Sequence, residues 1–165
     1  MTASRTAVDD QLRAWARGLY TTEAATELII RAFNGRFATT GQPWIKPTDH
    51  GYWIDFDAIP DHLGAVSGGE RRLLRIAASI GSSDPLIILG DEITGLDRST
   101  LDLVLAAIAH TGGSHEQSGL VFDSQGRAAI VREPSLQPWE ARSKKNARHE
   151  HESAPGARPN DSRSL

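Results

Sequence analysis

Cysteine is absent from this chain, and methionine occurs only once. Disulfides and thiolate metal sites are therefore excluded, while the cellular compartment is left open. No apolar run approaches the length of a membrane-spanning helix, so we expect no membrane span. An excess of positive charge is also missing: the formal net charge of −3 does not favour nucleic acid as a partner.

The remaining composition is that of an ordinary globular protein. Hydrophobic residues make up 39% and charged residues 24% of the 165 residues, which suits one domain with a modest core. The first residues are polar and acidic and lack the pattern of a secretory signal. We therefore expect a cytoplasmic protein.

The first third of the chain predicts helices followed by strands. Residues 8–19 and 22–33 carry apolar side chains at helical spacing and form an expected N-terminal helical pair. Residues 36–60 are rich in aromatic residues between glycines and prolines, which predicts a β-hairpin. The aromatic side chains of this hairpin could stack on a base or on a partner. Their strand spacing favours a role in the core instead; they are Trp44, Tyr52, Trp53 and Phe56.

The middle of the chain predicts a strand between two helices. Helices are expected over residues 69–80 and 98–110, and the apolar run 86–89 predicts a buried central strand. Two further strands are expected in residues 120–122 and 128–131, around a turn. The fold class is therefore α/β, with a small mixed sheet around one buried strand flanked by helices.

The domain boundary is expected near residue 134, where apolar content collapses. Residues 1–133 form one predicted α/β domain, with a helical part (1–35), a β-hairpin (36–60) and a motif-bearing part (61–133). The segment 134–165 has no hydrophobic period and predicts a disordered tail.

Ser67-Gly68-Gly69-Glu70 opens one of the predicted helices. A small hydroxyl followed by two glycines leaves backbone N–H groups bare at a helix N-terminus, where an anion such as phosphate can bind. The same residues also fit a simple helix cap, with serine at the cap and an acid in the first turn.

Two acids, Asp91 and Glu92, end the apolar run, and Gly95-Leu96-Asp97 follows them. An acid at the tip of a buried strand can hold Mg²⁺, and a second acid beside it can activate water. The alternative for such a pair is a solvated turn. Asp97 can also cap the helix that begins at Arg98.

Together these segments resemble three motifs of ABC-type ATPases in the correct order: the signature motif (Ser67 to Glu70), Walker B with the catalytic acid (Leu86 to Glu92), and the D-loop (Gly95 to Asp97). Glu70, in place of the usual Gln, and the two arginines after it resemble the SMC-like and DNA-repair members. The resemblance covers about a third of the chain and implies a partial P-loop-NTPase lobe.

The resemblance also implies roles for individual residues, with ATP and Mg²⁺ as cofactors. Asp91 would bind Mg²⁺, and Glu92 would activate water. The signature residues Ser67, Gly68 and Gly69, together with Asp97, would contact nucleotide. In this family the signature motif of one subunit closes over nucleotide held by another.

The chain departs from the family pattern at the phosphate loop. No G-x-x-x-x-G-K-[ST] sequence is present, and none of the three lysines, Lys46, Lys144 and Lys145, follows a glycine-rich loop. Ile93 stands where the family usually has proline. His110 and His115 lack the context of the family's switch histidine.

Three functions are compatible with this pattern. The chain could contribute signature and Walker B elements to a nucleotide site shared with a Walker A-containing protein or within a homo-oligomer. It could be a non-catalytic interaction or regulatory module that retains an ABC-like fold. It could also be a complete ATPase with an unorthodox phosphate loop. We favour the first, in which ATP hydrolysis requires a Walker A loop supplied in trans.

Overall fold

The computed structural model describes residues 4–139, in which helices and short strands alternate. Five α-helices form within this range: α1 (Arg5–Ala16), α2 (Tyr20–Arg31), α3 (Gly68–Gly81), α4 (Leu89–Ile93) and α5 (Arg98–Thr111). The strands of the same range are β1 (Ile45–Thr48), β2 (Gly51–Ile54), β3 (Ser118–Phe122) and β4 (Ala128–Arg132). The mixed helix and strand content, the N-terminal helical pair and both strand pairs confirm the sequence predictions.

Helix α2 lies at the centre of the core and packs against α1, α3 and α5. Its Ala24 and Ala25 are fully buried, as are Ala77 of α3 and Ala107 of α5. These short side chains allow close approach of the helices, while leucine, isoleucine and valine side chains fill the space between them. The helices that begin at the predicted motifs, α3 and α5, are therefore both packed against α2.

The first hairpin closes one side of this core. Strands β1 and β2 are antiparallel, with Ile45 opposite Ile54, and β2 packs on α1. Trp44 is 1% exposed, and its indole N–H donates to the carbonyl oxygen of Phe37 at 2.9 Å. Trp44 and Phe56 belong to the buried core, which confirms the core interpretation for these two aromatic residues.

A left-handed turn separates α2 from the first hairpin. Phe33, Asn34 and Gly35 have φ values of 49°, 56° and 69°. At Gly35 a Cβ atom would lie 2.9 Å from the carbonyl oxygen of Ile30, so a side chain there would collide with the helix that has just ended.

The predicted strand 86–89 does not form, and this part of the fold prediction is wrong. Residues 84–88 have no regular secondary structure, and α4 begins at Leu89. Ile88 has extended backbone angles, but both sheets of the described residues are two-stranded antiparallel pairs, and neither includes this segment. A central strand needs hydrogen-bonding partners on both edges, so the apolar run stays unpaired.

As a result, the apolar run is largely in contact with solvent. Leu86 is 86% exposed and Ile88 is 71% exposed, whereas Ile87 packs against the core. The second hairpin is also exposed: β3 and β4 are antiparallel, and Phe122 and Ile130 are among its exposed side chains. Apolar surface of this kind is typical of proteins that meet a partner.

Residues 134–139 run back over the helices. The Trp139 ring lies near Arg31, whose guanidinium carbon is 5.5 Å from the ring centroid, and Gln137 donates to Asp102 at 2.6 Å. Residues 140–165 of the predicted tail lie outside the described residues, and the domain boundaries stay a prediction. In the described part of the chain, no helix combines the length and apolarity needed to cross a bilayer.

Candidate functional site

Ser67 begins α3 through a capping box. The Glu70 N–H donates to Ser67 Oγ at 3.4 Å, and the Ser67 N–H donates to Glu70 Oε2 at 2.9 Å. This reciprocal pair satisfies one N–H of the first helical turn and the N–H that precedes it. The local pattern that predicted an anion site therefore also builds a structural cap.

Gly68 and Gly69 occupy the first two positions of α3. A Cβ atom at either residue would have no neighbouring heavy atom within 4 Å, so packing inside the chain does not require glycine there. The N–H groups of these two positions have no acceptor within an α-helix. The helix start thus presents bare backbone donors and leaves room for close approach from outside.

Arg36 adds a positive charge beside this helix start. Its Nη1 lies 2.6 Å from Glu70 Oε1, across a separation of 34 residues in sequence. The hydrogen bond from the Ser67 backbone N–H, together with Arg36, lowers the pKa of Glu70. Glu70 is consequently ionised at neutral pH, and its negative charge stands close to the position that a phosphate would take.

Asp91 lies in α4 rather than at the tip of a strand. Its carboxylate is exposed, and its backbone carbonyl accepts hydrogen bonds from the Arg72 guanidinium and from Thr94 Oγ1. The Arg72 side chain also lies against Gly95, where a Cβ atom would collide with it. Arg72 therefore ties α3 to both Asp91 and the predicted D-loop.

Glu92 is buried and paired with Arg75 of α3. Its residue exposure is 7%, and its Oε1 lies 2.9 Å from Arg75 Nε. An acid that activates water must reach that water directly or through one intermediate. In this arrangement the Glu92 carboxylate instead links α4 to α3, which is a structural role.

Asp97 caps α5 with both carboxylate oxygens. Oδ1 accepts from the N–H groups of Ser99 and Thr100 at 2.7 and 2.9 Å, and Oδ2 accepts from Thr100 Oγ1 at 2.7 Å. The hydrogen bonds from Thr100 are the main reason that the pKa of Asp97 falls to about 2. This is the cap that the sequence predicted, and any contact with nucleotide stays a prediction.

Replacing Asp97 with alanine is expected to lower the free energy of unfolding by about 1 kcal/mol, because α5 loses its cap. The cap contributes fully above pH 3.8 and is lost as the pH falls through about 2, since the folded pKa lies below the unfolded value. Urea unfolding from pH 7 to pH 2 measures both effects. Asp97→Asn is the matched control: it should keep most of the stability at pH 7 and weaken the acid dependence.

The six predicted site residues lie on two adjoining segments: the start of α3, and the stretch from α4 to the cap of α5. Ser67, Gly68 and Gly69 form the start of α3, and Arg72 and Arg75 connect the next turns of that helix to α4. At 1.5 Å per residue, Arg75 is roughly 9 Å along the helix axis from Gly69. The arginines Arg36, Arg72 and Arg75 are the site neighbours that sequence reasoning missed. Of their contacts, only that of Arg72 had a local indication in the sequence, namely the two arginines that follow Glu70.

The chain is similar to an ATP-binding protein of a molybdate importer. The molybdate import ATP-binding protein MolC of Haemophilus influenzae is 30% identical to this chain over 95 residues. The match covers 52% of this chain and 37% of MolC, so the chain spans little more than a third of that relative. No family model matches, and no solved structure matches significantly. The similarity supports a distant ABC-ATPase-like relationship and does not identify the motifs.

Proposed function

We propose that this chain is a partial ABC-type ATPase-like domain that contributes to a nucleotide site shared with a Walker A-containing partner. The unpaired apolar segment 85–88 carries this proposal. It places exposed Leu86 and Ile88 immediately before Asp91 and Glu92, in a chain that has no phosphate loop. A partner that supplies a neighbouring strand would cover this surface and satisfy its backbone groups.

The residues of the chain fit one part of an ATP site. Asp91 offers an exposed carboxylate, a ligand type that Mg²⁺ prefers. Ser67, Gly68 and Gly69 offer a hydroxyl and bare N–H groups for the terminal phosphate. ATP with Mg²⁺, when bound, supplies the phosphoryl group for hydrolysis. A loop that would enclose the other phosphates is missing, so the partner must provide it.

The second candidate function is a non-catalytic interaction module, and the Arg75–Glu92 ion pair favours it. The pair leaves the proposed water-activating acid buried against α3. The Asp97 carboxylate, which accepts three hydrogen bonds at the start of α5, also favours a structural role. In this case the exposed apolar surface would bind a partner, and nucleotide turnover would not depend on Glu92.

Calorimetry of the isolated chain with ATP and Mg²⁺ is the first test. We expect no binding, because the loop that normally supplies most of the phosphate contacts is absent. Tight binding would contradict the proposal and favour a complete ATPase with an unorthodox loop. If ATP does not bind, the shared nucleotide site is tested with the partner present.

Gly69→Ala in the presence of the partner provides that test. The partner is first identified by crosslinking through a photoreactive group at position 88. We expect it to be a phosphate-loop ATPase. The extra methyl group has open space within the fold, so stability should be unchanged while close approach of phosphate is blocked. We expect ATP turnover by the mixture to fall at least about tenfold, as for loss of one electrostatic contact in a transition state.

Two variants complete this experiment. Ser83→Ala, an exposed serine beyond the end of α3, is the control and should leave turnover unchanged. Glu92→Gln separates the two functions, since it should abolish turnover only if Glu92 activates water. Full turnover by both Gly69→Ala and Glu92→Gln would reject the shared site and leave the interaction module.

A further inference from the structure

Three potential metal ligands meet at the far end of α5, away from the motifs. They are Glu23 of α2, His110 of α5 and His115 of the 3-10 turn Ser114–Glu116. One ligand atom from each lies within 4.8 Å of the other two. His110 Nε2 is 2.9 Å from Glu23 Oε2, and the two imidazole rings are stacked with centroids 3.9 Å apart.

The fold brings these residues together from distant positions. Helices α2 and α5 pack side by side, which places Glu23 opposite His110 although 87 residues separate them. Gly113 then reverses the chain with a φ of 69° and returns His115 over the last turn of α5. A Cβ atom at Gly113 would approach the Tyr20 ring at 3.2 Å, so glycine keeps this turn close to α2.

The chemistry of the cluster suits a transition metal. Two imidazoles and one carboxylate form a ligand set of the kind that binds Zn²⁺, whereas Mg²⁺ prefers oxygen ligands alone. The Gly18 N–H donates to Glu23 Oε1 at 2.7 Å and orients the carboxylate, as outer contacts do around metal sites.

Unsatisfied polar atoms and a cavity adjoin the cluster. Among the described residues, His115 Nδ1 and Thr26 Oγ1 are buried without a hydrogen-bond partner, and Thr26 is only 1% exposed. Thr26, Glu23 and His110 line a cavity of about 160 Å³ that opens to solvent. His115 does not line this cavity, which provides an entry path and space for a water molecule beside Glu23 and His110.

We propose that Glu23, His110 and His115 bind one Zn²⁺ ion. The metal takes the place of the proton that now joins Glu23 Oε2 to His110 Nε2, and the neutral ring carries its single proton on Nδ1 instead, so His110 releases no net proton. The ion thereby fastens the start of α2 to the end of α5. With Nε2 on the metal, the ring proton of His110 sits at Nδ1, which faces the Trp139 indole N–H at 3.5 Å. Two donors then face each other, so the Trp139 side chain must shift.

Calorimetry of the full chain with ZnCl₂, beside MgCl₂, tests the site. We expect one Zn²⁺ per chain, a higher melting temperature and a change in tryptophan fluorescence that Trp139→Phe reduces. Loss of one ligand in His110→Ala, His115→Ala or Glu23→Gln should weaken binding at least about tenfold. Circular dichroism checks that each variant folds, and His115→Gln supplies a second variant of similar size.

His149→Ala/His151→Ala is the matched control, because these histidines lie outside the described residues and could bind zinc on their own. This variant should retain full affinity. Absence of zinc binding, or binding that is lost only in His149→Ala/His151→Ala, would overturn the proposal. Equal binding of Mg²⁺ would also contradict it. None of these outcomes depends on ATP or on a partner.

Discussion

Replacing Trp44 with alanine is expected to lower the free energy of unfolding by about 3–5 kcal/mol. Trp44 is 1% exposed and packs beside Phe37, with ring centroids 6.2 Å apart. Its removal leaves a large cavity and an unpaired carbonyl at Phe37. Since small domains have a stability of about 5–15 kcal/mol, much of the fold's stability depends on this side chain. Urea unfolding followed by circular dichroism measures the change.

Two further substitutions divide the effect of Trp44. Trp44→Phe keeps most of the apolar volume and loses the N–H donor, so it should cost about 1–3 kcal/mol. Leu136→Ala is the control, because Leu136 is 82% exposed and a change there should stay within about 0.5 kcal/mol. If Trp44→Ala behaved like Leu136→Ala, the residue would be outside the core. Stacking on a base or a partner would then become the better explanation.

Replacing Arg75 with methionine is expected to lower the free energy of unfolding by about 2 kcal/mol. The change leaves the Glu92 carboxylate without its partner at 7% exposure. A fully buried pair would lose about 3–5 kcal/mol on such a change. The expected value is smaller because the Arg75 side chain is 44% exposed and water screens the interaction.

A double-mutant cycle identifies the source of this loss. Arg75→Met combined with Glu92→Leu removes both charges, so it should recover most of the stability lost in Arg75→Met alone. Urea unfolding of the four proteins gives the coupling energy. If the double variant were as unstable as the sum of the single variants, the two side chains would not interact. Glu92 would then be available for chemistry.

The balance between the proposed functions depends on this ion pair. A strong coupling means that Glu92 joins α4 to α3, and the catalytic interpretation then requires a rearrangement when the partner binds. The segment 85–88 lies directly before α4 in sequence, so a partner that pairs with it could move Asp91 and Glu92 together. The coupling energy sets the minimum free energy that partner binding must contribute to release Glu92.

Elements with strong local signals were predicted correctly. Helix α3 has a capping box at Ser67 and Glu70 and an apolar face at helical spacing, and Asp97 caps α5. Such signals act within one helical turn, so they do not depend on the rest of the fold. The first hairpin was also predicted correctly, because its aromatic residues have strand spacing and lie between glycines and prolines.

The strand prediction at 86–89 failed for a physical reason. A continuous apolar run has the same composition whether or not another strand lies beside it. Strand formation requires hydrogen bonds to a neighbouring strand. Within the described residues, each hairpin pairs only its own two strands. The segment is therefore extended at Ile88 but exposed, an arrangement that only the three-dimensional structure could reveal.

Residues close together in the sequence are sufficient to specify the helix caps, the apolar faces and a resemblance to three ABC-type motifs without a phosphate loop. Tertiary structure alone decided which charged groups meet: Arg36 with Glu70 across 34 residues, and Glu23 with His110 across 87. Caps and periodicity depend on neighbours within a few residues, which the sequence lists directly. Ion pairs and ligand clusters depend on how helices pack, and packing is a property of the whole chain.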